Sequence, residues 1–412
     1  MRPLRTSPVA CCTTRRGEVL GRSFRRMARR VALAMPRPMR SALRALPGAA
    51  RLRRTLLGDH DRPLGPDPRR GSLRPVVCLP TWSRWGVMNQ RPHHLMSALA
   101  AAGHPVFFVQ PDLLEARTHG GVHLVPAIRD VPGRDVILYI HFAPLRDLIG
   151  RFDNPVVVYD IYDDLSIFSA DEGAVPVSGR VSSHHLPLIR SSSLVTVSDT
   201  TLMERHRGER SDLLLVANGV DYASFSAAYP VPEDLPRRTG PIIGYHGMVS
   251  YWFDFAALHA AAKQRPDWQF VLVGPVDPRV APEVELLGQH SNVTLLGERP
   301  SDSIAAYVGH FDVEVIWFEV TPLTEAVNPL KMYEAMAAGV PVVAPPLPAC
   351  QATPGVRIAA AADFIPPIAA ALAARGSEAE ILRDTAASAD WSARVVPLLE
   401  LLDARGLRRV PL

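Results

Sequence analysis

The feature that most constrains this 412-residue chain is a pattern that runs once, breaks, and runs again. From Pro75 onward, short continuous apolar runs alternate with helical segments: PVVCLP (75–80), PVFFVQP (105–111), DVILYIHF (135–142), PVVVYDIYDD (155–164), SSLVTVSD (192–199) and DLLLVANGVD (212–221). The Pro-rich, polar stretch YPVPEDLPRRTG (229–240) interrupts it. PIIGYHG (241–247), WQFVLVGP (268–275), VTLLG (293–297), VEVIWF (313–318) and VPVVAP (340–345) then start it afresh, with helices expected over 252–264, 301–308, 329–338 and about 362–374. Strands that are apolar throughout, rather than alternating, belong to parallel sheets covered on both faces. The expected fold class is therefore α/β, with two doubly wound, Rossmann-like domains and a cleft between them.

The domain boundaries follow from the same pattern. Residues 1–74 form an arm and linker, 75–228 a first domain, 241–389 a second, and 390–412 a C-terminal helical return with Trp391, Val395, Leu398 and Leu402 on one side. The net charge of +4 hides an asymmetry, since residues 1–74 hold 19 Arg, no Lys and four acids, whereas the remaining 338 residues carry 26 basic and 37 acidic side chains. The basic pI thus belongs to the arm and does not signal a nucleic-acid-binding fold. Within the arm, residues 20–57 place Leu20, Phe24, Met27 and Val31 at helical spacing among arginines, a pattern suited to an anionic membrane surface or to an unstructured extension. Cys11, Cys12, Cys78 and Cys350 form no ladder and no CxxC pair, which points to a reducing compartment and away from structural zinc. No apolar run is long enough to span a bilayer. Neither opening strand-to-helix turn carries GxGxxG, which argues against a nicotinamide or flavin oxidoreductase.

The segment NPLKMYEAMAAGVPVVA (328–344) carries the most chemistry. Asn328 suits an N-cap, Pro329 the first helical position, and Gly339 the position just past the helix. Lys331 then sits in the first turn, where the helix dipole disfavours a cation by about 0.3–1 kcal/mol unless an anion is present. Free N–H groups at that turn, together with Lys331, would receive a diphosphate, and Glu334 one turn on would receive vicinal hydroxyls such as those of a ribose. The plain alternative is a surface Lys331–Glu334 pair worth a few tenths of a kcal/mol.

Four pieces in order, ANGVDYASF (217–225), IIGYHG (242–247), NVTLLGERP (292–300) and the 328–344 segment, resemble the donor domain of GT-B glycosyltransferases of the family 4-like, retaining group (glycosyl transferases group 1). TWSRWGVMNQRPHHLMSALAAAGHPVFFVQP (81–111) and VVVYDIYDDLSIF (156–168) resemble a bacterial branch engaged in surface-polysaccharide or teichuronic-acid-type assembly. The resemblance covers roughly residues 75–405. It implies a metal-independent hexosyltransferase that needs no cofactor, moves a sugar from a nucleoside-diphosphate sugar to a glycan or lipid-linked acceptor, and works in the cytoplasm, with residues 20–57 suited to hold it at the inner membrane face. A nucleotide-sugar epimerase and a non-catalytic scaffold share the same fold.

By the same resemblance, Glu334 is the second glutamate of an E-x7-E motif. The first falls on Ala326, with Glu325 one residue away, and the cations that follow the first donor-domain strand are absent after Gly247. Lys331 would then be the main electrophile for the diphosphate. Donor binding is accordingly assigned to Gly247, Arg299, Asn328, Pro329, Leu330, Lys331 and Glu334. In the first domain, Asp160 and Asp163 are candidate catalytic carboxylates, and Arg91, His141 and Asp164 are expected to serve the acceptor. Capping for Asp163 and Asp164, a structural role for His141 and solvation for Arg299 are the competing readings, and Trp82 and Trp85 would stack on sugar or pack in the core or hinge.

Overall fold

The structure, a computed structural model, describes Pro63 and residues 65–79, 84–164, 178–360 and 363–411, with only the backbone given for 178–182. The expectations for residues 20–57 and for Trp82 fall outside the described residues.

Fourteen strands among the described residues form two sheets. The first holds β1 (Val76–Leu79), β2 (Val106–Val109), β3 (Arg117–His119), β4 (Val122–Val125), β5 (Ile137–Ile140), β6 (Val156–Ile161), β7 (Leu194–Val197) and β8 (Leu214–Leu215). Their order is β3-β4-β2-β1-β5-β6-β7-β8, parallel except for the antiparallel β3–β4 edge. The second holds β9 (Ile242–His246), β10 (Gln269–Val273), β11 (Val293–Gly297), β12 (Val313–Val315), β13 (Val342–Ala344) and β14 (Val356–Ile358), all parallel in the order β11-β10-β9-β12-β13-β14. Strands β1, β5, β6, β7, β9, β12 and β13 are buried along their whole length, which is why their sequences are mainly apolar without alternation, with Asp160, His246 and Glu314 as charged or titratable insertions.

Each sheet thus has the doubly wound order in which the chain reverses direction beside its first central strand. The end of the chain returns to the first sheet. Two short helices, Trp391–Arg394 and Val396–Ala404, bury Trp391, Val395, Leu398 and Leu402 in the core formed by β1, β2 and the Arg91–Ala101 helix. Asp390 starts this return by capping the Ser392 N–H (2.8 Å) and accepting the Tyr222 N–H (3.1 Å). No helix among the described residues is long and apolar enough to cross a membrane.

Candidate active site

The two sheets present their carboxyl ends to one another, and each carries a cluster of buried charge. In the first lobe, Asp160 on β6 is fully buried and receives four hydrogen bonds. Arg91 Nε (2.8 Å) and His141 Nδ1 (3.2 Å) donate to Oδ2, while Arg91 Nη2 (2.9 Å) and Thr196 Oγ1 (2.6 Å) donate to Oδ1. Burial alone would raise the Asp160 pKa, but Arg91 and His141 outweigh it and hold the carboxyl well below the usual range. Arg91 Nη1 donates to Asn218 Oδ1 (2.9 Å). Asn218 Nδ2 in turn donates to the Asn328 carbonyl (2.6 Å), and Asn328 Nδ2 donates to the Ser198 carbonyl (3.2 Å). This chain runs from the first helix of one lobe to the loop before the Leu330–Ala337 helix of the other.

These contacts correct several sequence expectations. Arg91 is 1% exposed and held by Asp160 and Asn218, so it is an internal tie and not a receptor for an acceptor anion. Asp160 has no capacity left for a substrate hydroxyl or a proton. His141 is its buried partner, with a pKa lowered by burial. Asp164 is buried in an ion pair with Arg205, which also donates to the Pro322 carbonyl (3.0 Å) across the lobes and lies 3.9 Å from Glu325. Glu325 is therefore engaged with the first lobe, and Ala326 beside it is buried in that lobe's core. Asp163 alone of the three aspartates makes no hydrogen bond or ion pair with the described residues. Burial pushes its carboxyl up to about 7, against the pull of Arg91.

In the second lobe, β9 runs into Gly247, whose φ of +121° favours glycine and whose carbonyl approaches Gly274 so closely that only glycine fits there. A Cβ on Gly274 would lie 2.0 Å from the Gly247 carbonyl oxygen, and one on Gly247 would lie 3.3 Å from Lys331 Nζ. The ammonium is held over two ring faces, 4.7 Å from the centre of Phe318 and 5.0 Å from that of Tyr245. Burial lowers the Lys331 pKa, with Glu314 and Glu334 opposing the shift. Lys331 and Glu334 do not form the surface pair that was the plain alternative. Glu334 Oε2 instead accepts from His246 Nε2 (2.8 Å), and His246 Nδ1 lies 3.1 Å from Glu314 Oε1, which also takes the His246 backbone N–H (3.1 Å). Burial works against charge on His246, yet the two carboxylates outweigh it and raise its pKa to about 9. The other oxygen of Glu334, Oε1, accepts nothing from the described residues, and the side chain is 12% exposed.

The helix itself begins one residue later than expected. Pro329 (φ −70°, ψ 120°) is the cap residue, and Asn328, rather than capping, reaches across to Ser198. Leu330 packs on the first lobe's core, while Gly339 (φ +75°) ends the helix as expected. Arg299 is taken up by Asp234 of the interlobe segment and by Tyr307 of the Ile304–Val308 helix, so it does not stand free for a donor. Trp85 packs in the core against His93 and Phe108. His246, Glu314, Asn218, Thr196 and Arg205 escaped the sequence reading. Glu314 left a signal, being an acid inside the apolar run VEVIWF.

With this geometry in place, comparison with known proteins is informative. Residues 241–374 match the family model described as glycosyl transferases group 1. Over 222 residues, half of this chain, the sequence is 30% identical to a Bacillus subtilis (strain 168) protein whose name provisionally assigns it to teichuronic acid biosynthesis as a glycosyltransferase; the match spans 53% of that relative's length. Among solved structures, sucrose-phosphate synthase from Thermosynechococcus elongatus aligns with a TM-score of 0.62 at 18% identity, over 81% of this chain and 99% of the other. Trehalose-6-phosphate synthase OtsA aligns at 0.60 and 14%, over 80% and 99%. The Anabaena protein HepE, solved with UDP and glucose, aligns at 0.58 and 15%, over 81% and 100%. At these identities the structural likeness is one of fold.

Proposed function

We propose that this chain, which has the GT-B fold and matches the glycosyl transferases group 1 model over residues 241–374, is a glycosyltransferase using a nucleoside-diphosphate sugar as donor. The observation that carries this reading is the placement of Lys331. Its ammonium sits in the first turn of a helix, beside a glycine with no Cβ to obstruct an anion, at the carboxyl end of a parallel sheet. That arrangement combines a cation, free helix N–H groups and close backbone approach, which is what a diphosphate needs.

In the reaction, the bond from the anomeric carbon to the diphosphate oxygen breaks and a bond from that carbon to an acceptor hydroxyl forms, with retained configuration. Lys331 and the helix N–H groups stabilise the charge that develops on the leaving diphosphate. Asp163, with a pKa near neutrality, is the first-lobe group able to bind the acceptor hydroxyl or take its proton. Support for a nucleotide-sugar donor comes from fold relatives solved with UDP and glucose and with UDP-2-fluoro glucose. A place in polysaccharide synthesis draws support from the Bacillus relative, named for teichuronic acid biosynthesis, and a glycan or lipid-linked acceptor is the acceptor we propose for it. The Arg-rich, acid-poor residues 20–57 are suited to hold the enzyme at an anionic membrane; deleting residues 1–70 should then abolish flotation with anionic liposomes.

The test is thermal melting of the full chain with UDP, GDP and their sugars. Binding to the folded state raises the melting temperature by mass action. A nucleoside diphosphate that stabilises the chain, followed by its release from the sugar when acceptor is added, supports the reading. No stabilisation by either nucleotide would leave a scaffold with a transferase fold.

A further inference from the structure

The E-x7-E resemblance accounts for Glu334 but not for the histidine that grips it. His246 is the last residue of β9, 88 residues from Glu334 and 68 from Glu314 in sequence, and it is 5% exposed. In the sheet, β9 lies beside β12 with Gly244 opposite Glu314. Because side chains alternate along a strand, Gly244 and His246 share a face, and the Phe311 ring fills the space beside Gly244, 2.0 Å from where a Cβ would lie. Glu314 is fully buried, and its Oε1 takes two N–H groups of His246, one from the ring and one from the backbone. The imidazole is therefore fixed in place before any ligand arrives.

We propose that His246 is the positioning residue of the donor site: anchored on Glu314, it holds Glu334 by Oε2 and so presents Oε1 to the vicinal hydroxyls of the nucleotide ribose. This rests on the nucleotide-sugar reading above. A glutamate on a helix surface has three freely rotating bonds, and freezing them on binding weakens a ligand contact. Here the charge-assisted bond to His246 has already selected one orientation.

A merely structural histidine would affect stability without affecting which sugar the nucleotide carries. The experiment therefore measures, by calorimetric titration of the full chain, the affinity of UDP and GDP and then of the 2′,3′-dideoxy form of whichever binds. Wild-type protein should bind the ribonucleotide about 10-fold more tightly than the dideoxy form. His246→Ala should weaken the ribonucleotide about 10-fold and erase that discrimination, and His246→Gln, whose amide can still donate to Glu334, should recover part of both.

An alanine variant that discriminates as the wild type does, or binds the ribonucleotide unchanged, overturns the role of His246 while leaving nucleotide binding intact. Wild-type protein that binds neither UDP nor GDP overturns both readings. Should the alanine variant not fold, nitrogen NMR of the wild-type imidazole, assigned by its absence in His246→Gln, decides the matter. Its signal should shift with the ribonucleotide and not with the dideoxy form, and equal responses reject the proposal.

Discussion

Two clusters of buried charge, one at the end of each sheet, are built from similar groups and differ in what they leave undone. In the first lobe, Asp160 has two oxygens, four hydrogen bonds and no exposure, so its accepting capacity is filled by Arg91, His141 and Thr196. In the second, Glu334 has one oxygen on His246 and another that accepts nothing from the described residues, while Lys331 lies over aromatic faces with no carboxylate in ion-pair contact among them. Acid, histidine and cation alone do not mark a site. A saturated cluster ties the fold together, and an unsaturated one is arranged for something still to come.

The comparison can be broken most directly at Asp160. Asp160→Ala would leave the Arg91 guanidinium buried without its partner, an arrangement that typically costs about 3–5 kcal/mol. Chemical denaturation should show a midpoint far below the wild type's. If instead Asp160→Ala keeps wild-type stability and loses turnover, the first cluster is catalytic and the contrast collapses. Lys331→Ala tests the opposite pole. Turnover should fall about 10²–10³-fold, the usual loss when a donor to developing negative charge is removed, with little change in melting temperature. That asymmetry follows from burial, which already lowers the Lys331 pKa and gives the folded state little to lose. Normal turnover in this variant would remove the diphosphate from the site.

Both clusters were only partly legible in the sequence, and the reason is distance along the chain. Strands buried on two faces declare themselves as unbroken apolar runs, so β1, β2, β5–β7 and β9–β13 were all visible. The short, polar β3 (RTH) and β14 (VRI) were not, because an edge strand has less of its surface to bury. The helix Ser178–Ser191 was hidden by Pro187 within it. Among site residues, Lys331 stood out because its helix position is locally unfavourable. Asp160 was misread because its partner Arg91 lies 69 residues away, and an aspartate at a strand end looks the same whether free or bidentately bound. His246 carried no local anomaly at all, since its meaning depends on two carboxylates from other elements.

Acid–base behaviour sharpens the contrast at smaller amplitude. His246 faces Glu314 on β12 and Glu334 on the Leu330–Ala337 helix, with Lys331 on the same helix and His94 of the first lobe close enough to influence Glu334. Its pKa is raised from the ordinary 6.5 to about 9, so the folded state binds its proton more tightly than the unfolded chain does. The stabilisation is complete below about pH 6.5 and is lost as pH rises through 9. Denaturation midpoints should accordingly fall between pH 7 and 10, and His246→Gln should flatten that slope. An unchanged slope in the variant would assign the loss to another group.

The smallest expected effect is at Arg299, and it bears on how donor and acceptor lobes are kept apart in function. The family resemblance assigned this arginine to donor binding, whereas its side chain pairs with Asp234 of the connecting segment and Tyr307 at a site where Arg299 and Asp234 are 26% and 41% exposed. Solvent at that exposure screens the pair, so Arg299→Ala should cost only about 0.2–1 kcal/mol of stability. Because the guanidinium is already satisfied, UDP or GDP affinity should change less than about twofold, well under 1 kcal/mol by the relation of binding constant to free energy. A tenfold loss of nucleotide affinity with unchanged stability would mean that Arg299 leaves Asp234 when the donor binds. The connecting segment would then be part of the donor site, and the line drawn between saturated ties and open ligand groups would have to run through Arg299 itself.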